Sequence, residues 1–329
     1  MGLDLTQIAT AFMSMMLEGL PFIFAGTLVS GVIDAYMPQG QIEKWLPKRP
    51  FAAILVSGLL GIIFPVCECA IVPVIRRLLN KGLPISCAVT YMLAAPIINP
   101  ITAISTMSAF SGGTNRGEEF GPLAERLASH PIFMTGSRLL IAYIICVLVG
   151  LLISRISASN IMRSHIIKSM EKSKEGHNHE IQGSKVVQAS RTAMRDCVDT
   201  GMYFTIGVVL TAIFNTSNLQ QGAASIMSIN IYVAVAAMMG LAFLLSLCST
   251  SDAFIGATLK VALPTQAYEY GAKLAFLVFG PMMDVKLLFM YASIFRPKFV
   301  FLLFVGLFIL VGAACSLWTL IPIDSLPFR

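Results

Sequence analysis

Apolar runs of membrane-spanning length are the feature that most constrains what this chain can fold into. Eight such runs occur in 329 residues, and each could supply the roughly 20 residues with which an α-helix crosses a bilayer. Charged residues make up only 12% of the chain, against about 25% in a soluble domain. The sequence therefore excludes a soluble enzyme and predicts an all-α, polytopic membrane helix bundle of about eight spans. The runs cover residues 5–37, 51–79, 83–110, 131–153, 194–215, 226–260, 274–295 and 299–321.

A polar segment at residues 156–190 divides the runs into two groups of four. It is rich in lysine, serine, glutamate and histidine and is too polar to bury, so we interpret it as a linker. Eight basic residues fall between Arg155 and Arg195, and basic residues accumulate in cytoplasmic loops. We therefore expect a multi-pass protein of the cell inner membrane. Its parts would be a first membrane repeat at 1–155, a cytoplasmic linker at 156–190 and a second membrane repeat at 191–329.

The two halves carry unusual residues in the same order inside their apolar runs, which predicts an internal repeat. The first two matched pairs are 181 residues apart and the third is 185 apart. Two pseudo-symmetric repeats would explain this order. The repeats would be parallel if every run crosses the membrane, or inverted if a broken segment in each half is re-entrant, and the sequence leaves both open. The matched pairs are Glu18 with Asp199, Cys67 with Cys248, and Asn99 with Asp284.

Prolines within the runs predict discontinuous helices. A proline removes a backbone donor and disturbs the preceding helical turn. Backbone groups freed in this way at membrane depth are tolerated only beside protein or a wet cavity, and transporters build binding sites at such breaks. The prolines at the predicted breaks are Pro65, Pro73, Pro96, Pro100 and Pro281.

Three cysteines accompany these breaks. Cys67 and Cys69 flank Glu68 between two prolines, and Cys248 begins the small polar cluster Cys-Ser-Thr-Ser-Asp. Thiolates are suitable ligands for soft ions such as trivalent arsenic or antimony, Cu(I) or Zn(II). We therefore interpret Cys67, Cys69 and Cys248 as candidate substrate or metal contacts, with a simple packing role as the alternative.

Polar residues at membrane depth complete the predicted site. A carboxylate there is costly unless it is paired, protonated or hydrated, which makes each one a functional candidate. Structural hydrogen bonds, or an ion pair of Asp284 with Lys286, are the alternative interpretation. The predicted substrate-binding residues besides the cysteines are Glu68, Asn99, Ser251, Asp252 and Asp284, and the predicted proton-coupling residues are Glu18 and Asp199.

Two segments of the first half resemble the predicted permeases of the YraQ/ArsP-like superfamily. These segments are 65–73 (Pro-Val-Cys-Glu-Cys-Ala-Ile-Val-Pro) and 93–100 (Leu-Ala-Ala-Pro-Ile-Ile-Asn-Pro). In the second half, Cys248 with Asp252, and the stretch 275–284, are similar to the family as well. The resemblance implies an inner-membrane permease, and the best-understood relatives export trivalent organoarsenicals. The family's common Cys-Ser-Cys is Cys-Glu-Cys here, which changes the charge at the break.

The sequence favours gradient-driven export of a soft, thiol-reactive metal, metalloid or trivalent organoarsenical. The alternatives are a permease for a small anion, because helix N-termini at the breaks attract anions, and a non-transporting membrane scaffold or thiol redox partner. No Walker motif, His-Glu-x-x-His or nucleophile elbow occurs, so we expect neither enzyme activity nor a cofactor. The expected partners are a small-molecule or ion substrate, the lipid bilayer and, as an option, a second copy in a homodimer. No nucleic acid partner is expected.

Overall fold

The computed structural model describes residues 5–38, 40–42, 46–111, 131–156, 161–164, 185–215, 231–259 and 266–319. These residues are helical apart from short connections, which confirms the all-α prediction for the part of the chain described. Most of the predicted linker, 157–160 and 165–184, lies outside them. Numbered in chain order, the helices are α1 (Leu5–Tyr36), α2 (Pro50–Ile63), α3 (Glu68–Asn80), α4 (Ile85–Ala94), α5 (Pro100–Ser111), α6 (Pro131–Ile153), α7 (Lys185–Asn215), α8 (Ile231–Leu245), α9 (Ser251–Thr258), α10 (Gln266–Met282), α11 (Val285–Ile294) and α12 (Pro297–Trp318).

Five segments of the described part are long and apolar enough to cross a membrane, which supports a multi-pass membrane protein. The apolar helices α2, α4 and α8 have only 14, 10 and 15 residues, so none of them crosses a bilayer alone. The eight predicted apolar runs are thus present, but not as eight uninterrupted spans. The five long segments are Thr6–Tyr36, Pro131–Ile153, Ala189–Phe214, Tyr268–Ile294 and Pro297–Trp318.

Breaks at 64–67, 95–99, 246–250 and 283–284 interrupt the apolar runs. Pro65 and Pro96 lie in the first two breaks, and the residue before a proline is biased away from helical geometry. Pro100 takes the first position of α5, where its missing N–H costs nothing. The helix continues through Pro73 in α3 and Pro281 in α10, whereas we expected a break at each. Pro281 is the second-last residue of α10, so its break follows at once, and α3 tolerates the loss of one backbone hydrogen bond at Pro73.

The contacts of α1 define the two ends of the bundle. α7 runs antiparallel to α1, because Thr192 donates a hydrogen bond to Asp34 while Phe204 packs on Gly19. α3 ends beside Asp34, where Lys81 Nζ donates to the Asp34 carbonyl at 2.8 Å. We call this the linker end, since the linker precedes α7 there, and the opposite end the far end.

Helices α2 and α3 form a hairpin with both outer ends at the linker end. α2 runs parallel to α4, because Gly58 meets Thr90 and Gly61 meets Ala95. α4 begins four residues after Lys81 and so starts from the linker end. α2 therefore runs inward from the linker end, and α3 returns to it.

Helices α10 and α11 run in sequence from the far end to the linker end. Near the start of α10, Tyr270 donates a hydrogen bond to the carbonyl of Phe133, at the start of α6. At the end of α11, the Ile294 carbonyl accepts from the Arg163 amide beside the linker at 3.1 Å. α12 starts three residues after Ile294 and therefore runs back to the far end.

Helices α8 and α9 form a second hairpin, which enters from the far end. α8 is antiparallel to α12, since Met239 packs on Gly312 and Phe243 on Phe304 with ring centroids 5.1 Å apart. α9 returns along α10 and α5 towards the far end. The tips of the two hairpins, residues 64–68 and 246–251, consequently meet inside the bundle.

The best-buried segment is the α10–α11 segment at the centre, of which 83% is buried, whereas α1, α7 and α12 are 33%, 33% and 28% buried. Large apolar side chains such as Leu17, Met202 and Phe301 are exposed on these outer helices. Such a surface would be unfavourable in water but suits lipid chains. The hairpin tips are therefore enclosed by protein, as a break at membrane depth requires.

Candidate functional site

The two hairpins touch through one side-chain hydrogen bond at their tips. Glu68 is the first residue of α3, and Ser249 lies in the break before α9. The Ser249 hydroxyl donates to Glu68 Oε2 at 3.1 Å. Glu68 is 1% exposed, yet its Oε1 has no hydrogen-bond partner, which is costly for a buried carboxylate. The two residues are 181 positions apart, which is the spacing of the predicted repeat.

A small cavity of about 20 Å³ lies beside this contact, with room for about one water molecule. Its wall combines three thiols, two carboxylates and one ammonium group with apolar side chains. The cysteines that the sequence indicated as one set therefore line a single space. The lining residues are Met15, Glu18, Gly19, Phe22, Cys67, Glu68, Cys69, Phe204, Cys248 and Lys286.

The three cavity cysteines are free thiols with different exposure. Cys69 is buried, whereas Cys67 and Cys248 are partly exposed, and Thr250 Oγ1 lies 3.5 Å from Cys248 Sγ. Within the described residues, no three histidine, cysteine, aspartate or glutamate side chains are grouped closely enough to hold a metal ion. The thiols thus surround the cavity without forming a ready-made metal centre, an arrangement suited to a passing ligand rather than a resident one.

The two acids that we interpreted as equivalent proton carriers lie in different surroundings. Glu18 lines the cavity, where its Oε1 accepts a hydrogen bond from Ser251 Oγ at 3.2 Å. Asp199 instead faces the linker end, where its carboxylate lies 3.1 Å from Arg76 Nη1 and is 58% exposed. The difference follows from the antiparallel packing of α1 and α7, which brings Phe204 rather than Asp199 to the level of Glu18.

Asn99 and Asp284 play the same structural part in the two proline-containing breaks. Asn99 Oδ1 accepts from the Thr102 amide at 2.8 Å at the start of α5, and Asp284 Oδ1 accepts from the Leu287 amide at 2.7 Å at the start of α11. Both are N-cap bonds across three residues, which satisfy free helical donors. Neither side chain lines the thiol cavity, so the structure places both at helix starts outside that cavity.

Lys286 connects the cap of α11 to the cavity. Its side chain is 7% exposed, and Nζ lies 3.6 Å from Asp284 Oδ2, an oxygen with no hydrogen-bond partner. An isolated ammonium at this depth would be strongly destabilising. Because Asp284 offsets the charge of Lys286, the two remaining cavity carboxylates, Glu18 and Glu68, set the charge of the cavity.

A buried arginine that we did not predict holds the second hairpin in place. Arg138 on α6 is 1% exposed, and its guanidinium donates to Asp252 Oδ2 and to Thr106 Oγ1, each at 2.7 Å, and to the Ser249 carbonyl at 3.4 Å. Asp252 is therefore the partner of Arg138 rather than a cavity residue. The sequence signal was a single charge in the otherwise apolar run 131–153, but nothing there names a partner 114 residues away.

Comparison with known proteins agrees with this architecture. Residues 4–116 and 126–319 match the family ArsP_1, described as a predicted permease. The protein YcgR (UPF0718) of Bacillus subtilis is 34% identical over 314 residues, 94% of this chain and 96% of that protein. A Streptococcus mutans protein, provisionally named as a two-component membrane permease complex subunit, is 36% identical over 91% of this chain and 90% of its own length. No solved structure matches the chain.

Proposed function

Since the chain belongs to the ArsP_1 family of predicted permeases, we propose that it is a secondary exporter of a soft, thiol-reactive metal, metalloid or trivalent organoarsenical. The observation that carries the proposal is the cavity in which Cys67, Cys69 and Cys248 surround one space between the hairpin tips. Thiols exchange their soft ligands readily. A trivalent arsenical could therefore enter from one pair of sulfurs and leave to another.

The charges around the cavity favour this cargo over a small anion. Glu18 and Glu68 both line the cavity, and the charge of Lys286 is offset by Asp284 at 3.6 Å. An anion would meet two carboxylates with no free cation among the described lining residues, which is unfavourable at short range. A neutral or cationic electrophile meets no such barrier.

For the membrane topology we propose six crossings and two re-entrant hairpins. The crossings are α1, the α4–α5 segment, α6, α7, the α10–α11 segment and α12, while the α2–α3 and α8–α9 hairpins enter from opposite ends. Each half then has three crossings and one hairpin, so the second half is inverted relative to the first. The repeats would occupy 1–155 and 191–329, joined by the linker at 156–190.

The distribution of basic residues supports a cytoplasmic linker in a protein of the cell inner membrane. At the far end, the described residues contribute Lys273, whereas many basic residues lie at the linker end, as expected for the cytoplasmic side. A cysteine at position 298 should therefore react with an impermeant thiol reagent only from the cytoplasm, whereas eight full crossings with a cytoplasmic N-terminus would place it outside. The basic residues at the linker end are Lys48, Arg49, Arg76, Arg77, Lys81, Arg155, Arg163, Lys185, Arg191, Arg195, Arg296 and Lys298.

We also propose that a single chain contains the whole transport site. The name of the streptococcal relative assigns that protein to a two-component complex. In this chain, both hairpin tips that form the cavity come from the same polypeptide. A second subunit, or a second copy in a homodimer, would then add to the site rather than complete it.

Flux in proteoliposomes tests the proposed cargo. The purified chain should transport phenylarsenious acid or antimonite down an imposed proton gradient, and the Cys67→Ser/Cys69→Ser double variant should lose at least about tenfold of the rate, because hydroxyls are poor ligands for soft ions. Cys197→Ser is the matched control, since that cysteine is also partly exposed but does not line the cavity. An unchanged rate in the double variant would contradict the soft-cargo proposal, and absence of flux with the purified wild type would favour a scaffold or thiol redox partner.

A further inference from the structure

A cluster of ion pairs fastens α7 to α3 at the linker end. Arg77 Nε and Nη2 donate to the two oxygens of Asp196 at 2.9 and 2.8 Å, and Asp196 is 2% exposed. Ser30 on α1 donates to the same carboxylate at 2.6 Å. A bidentate arginine–carboxylate pair of this kind is among the stronger contacts available to a protein, so this end is firmly closed.

A second layer of polar contacts extends the same closure. Asp34 on α1 accepts from Thr192 of α7 at 3.0 Å, and Lys81 donates to the Asp34 backbone at 2.8 Å. Arg76 and Asp199 form a more exposed pair at 3.1 Å. Helices α1, α3 and α7 are thus tied together on the linker side of the thiol cavity.

The packing of α1 and α7 is one-sided. α1 lies along α3 and α7 along α11, whereas within the described residues neither α1 with α5 nor α7 with α9 packs to a similar extent. Two glycines 181 residues apart make the close approaches: Gly26 meets Ala70 on α3, and Gly207 meets the Lys286 backbone on α11. At both glycines a Cβ would clash with the facing helix, so only glycine allows this closeness.

Equivalent positions at the far end are correspondingly uncovered. Pro73 on α3 is buried beneath Ser30, but Phe254, 181 residues later on α9, is 51% exposed. Lys286 on α11 is 5% exposed, but Ile101, 185 residues earlier on α5, is 58% exposed. The faces of α3 and α11 that α1 and α7 cover thus have bare counterparts on α9 and α5.

We propose that this structure is one end state of an alternating-access cycle, closed at the linker end by the Arg77–Asp196 ion pair. In the other end state α1 and α7 leave α3 and α11 and pack on α5 and α9. Inverted repeats imply this exchange, because swapping the conformations of the two halves converts one end state into the other. The proposal rests on the proposed transport function and its inverted repeat, but not on the identity of the cargo.

The repeat spacing specifies which residues meet in the other state. The Ser30–Pro73 contact becomes Thr211–Phe254, and the Gly26–Ala70 contact becomes Gly207–Ser251. Thr211 is buried on α7 and Phe254 exposed on α9, so their meeting requires the exchange. A second cavity of about 140 Å³, between the ion pairs and the thiol cavity, is the path that opens when the linker end parts. Its lining includes Val72, Asp196, Thr200 and Tyr203.

Disulfide trapping in membranes tests the exchange without any cargo. The Thr211→Cys/Phe254→Cys variant, treated with copper phenanthroline, should form a 211–254 disulfide identifiable by mass spectrometry. The rate of its formation should rise at least about fivefold when Asp196→Asn or Arg77→Gln is added, because loss of the pair shifts the population towards the other state. Arg76→Gln, which removes only the exposed pair, should change the rate by less than about twofold.

A charge-swapped pair, Arg77→Asp/Asp196→Arg, keeps the test decisive if a single variant fails to fold, and it should restore the slow rate. Absence of the 211–254 disulfide in every background, with the native fold retained by size-exclusion chromatography, would overturn the proposal. So would a rate that does not respond to the Arg77–Asp196 pair. Failure of thiophile flux with intact trapping would refute the cargo alone, and leave the conformational cycle standing.

Discussion

Replacing Arg138 with glutamine should destabilise the protein more than any change to an exposed ion pair. The guanidinium makes hydrogen bonds of 2.7 Å to Asp252 and to Thr106, and both charged side chains are at most 3% exposed. Removing one partner of a buried pair leaves an uncompensated charge and costs about 3–5 kcal/mol. At roughly 2–4 °C per kcal/mol for a chain somewhat smaller than this one, the melting temperature should fall by about 6–20 °C.

The matched double variant separates the cost of an orphaned charge from the worth of the pair. Arg138→Leu/Asp252→Leu removes both charges, and replacement of a buried pair by apolar residues is often neutral. We therefore expect it to recover most of the loss caused by Arg138→Gln. Arg76→Gln is the exposed control, because its pair with Asp199 is worth only about 0–1 kcal/mol.

Fluorescence-detected size-exclusion chromatography after heating gives the melting temperature of each variant in detergent. A fall of less than about 2 °C for Arg138→Gln would refute the reasoning. So would a double variant that is less stable than the single one. Either result would mean that the second hairpin is not held by this arginine.

Three further predictions follow from single contacts. An impermeant thiol reagent should modify Cys248 from the far end but not from the linker end, as measured by mass shift in oriented vesicles; the reverse labelling would contradict closure of the linker end. Gly207→Ala should destabilise the protein, because its Cβ would clash with the Lys286 backbone, whereas Gly201→Ala on the same helix meets no neighbour and should be tolerated; equal melting temperatures would argue against close packing. Asn99→Ala should cost about 1 kcal/mol by loss of the N-cap of α5, and Asn99→Asp, which keeps the acceptor, should recover much of it; an equal loss in both variants would exclude the cap as the cause.

Some of the site could be predicted because its signals are local. Proline steps and clustered small polar residues indicated the breaks, and the common spacing paired Cys67 with Cys248 and Asn99 with Asp284. The cysteines line one cavity because each follows an inward helix at a hairpin tip. The identical N-cap bonds of Asn99 and Asp284 have the same origin, since a break before a helix leaves free amides wherever it occurs.

The rest depended on contacts that the sequence does not encode locally. A run interrupted by a break can cross the membrane or return, and only the pairing of α2 with α4 and of α3 with α1 distinguishes the two. Glu18 and Asp199 occupy matching sequence positions but different surroundings, because α1 and α7 pack antiparallel on one side of the bundle. Arg138 and the Arg77–Asp196 pair depend on partners more than 100 residues away, for which a single sequence gives no signal.

The Glu68–Ser249 contact explains why one hairpin tip carries an acid where the other carries a hydroxyl. Under the proposed inverted repeat these residues are equivalents that touch each other, as residues near a two-fold axis must. Two glutamates there would face each other at hydrogen-bond distance in a buried site, and like charges at that separation repel strongly. Divergence of the two halves at this position therefore removes the repulsion and leaves a single acid at the centre.

Exchange of the two side chains tests this explanation. Glu68→Ser/Ser249→Glu should fold with a melting temperature close to that of the wild type, because one carboxylate still accepts from one hydroxyl. Ser249→Glu alone places two carboxyls together and should lower the melting temperature by more than Glu68→Ser alone, which leaves two hydroxyls able to hydrogen-bond each other. A swapped variant no more stable than Ser249→Glu would show that the two tips are not interchangeable, and would argue against their equivalence about an axis.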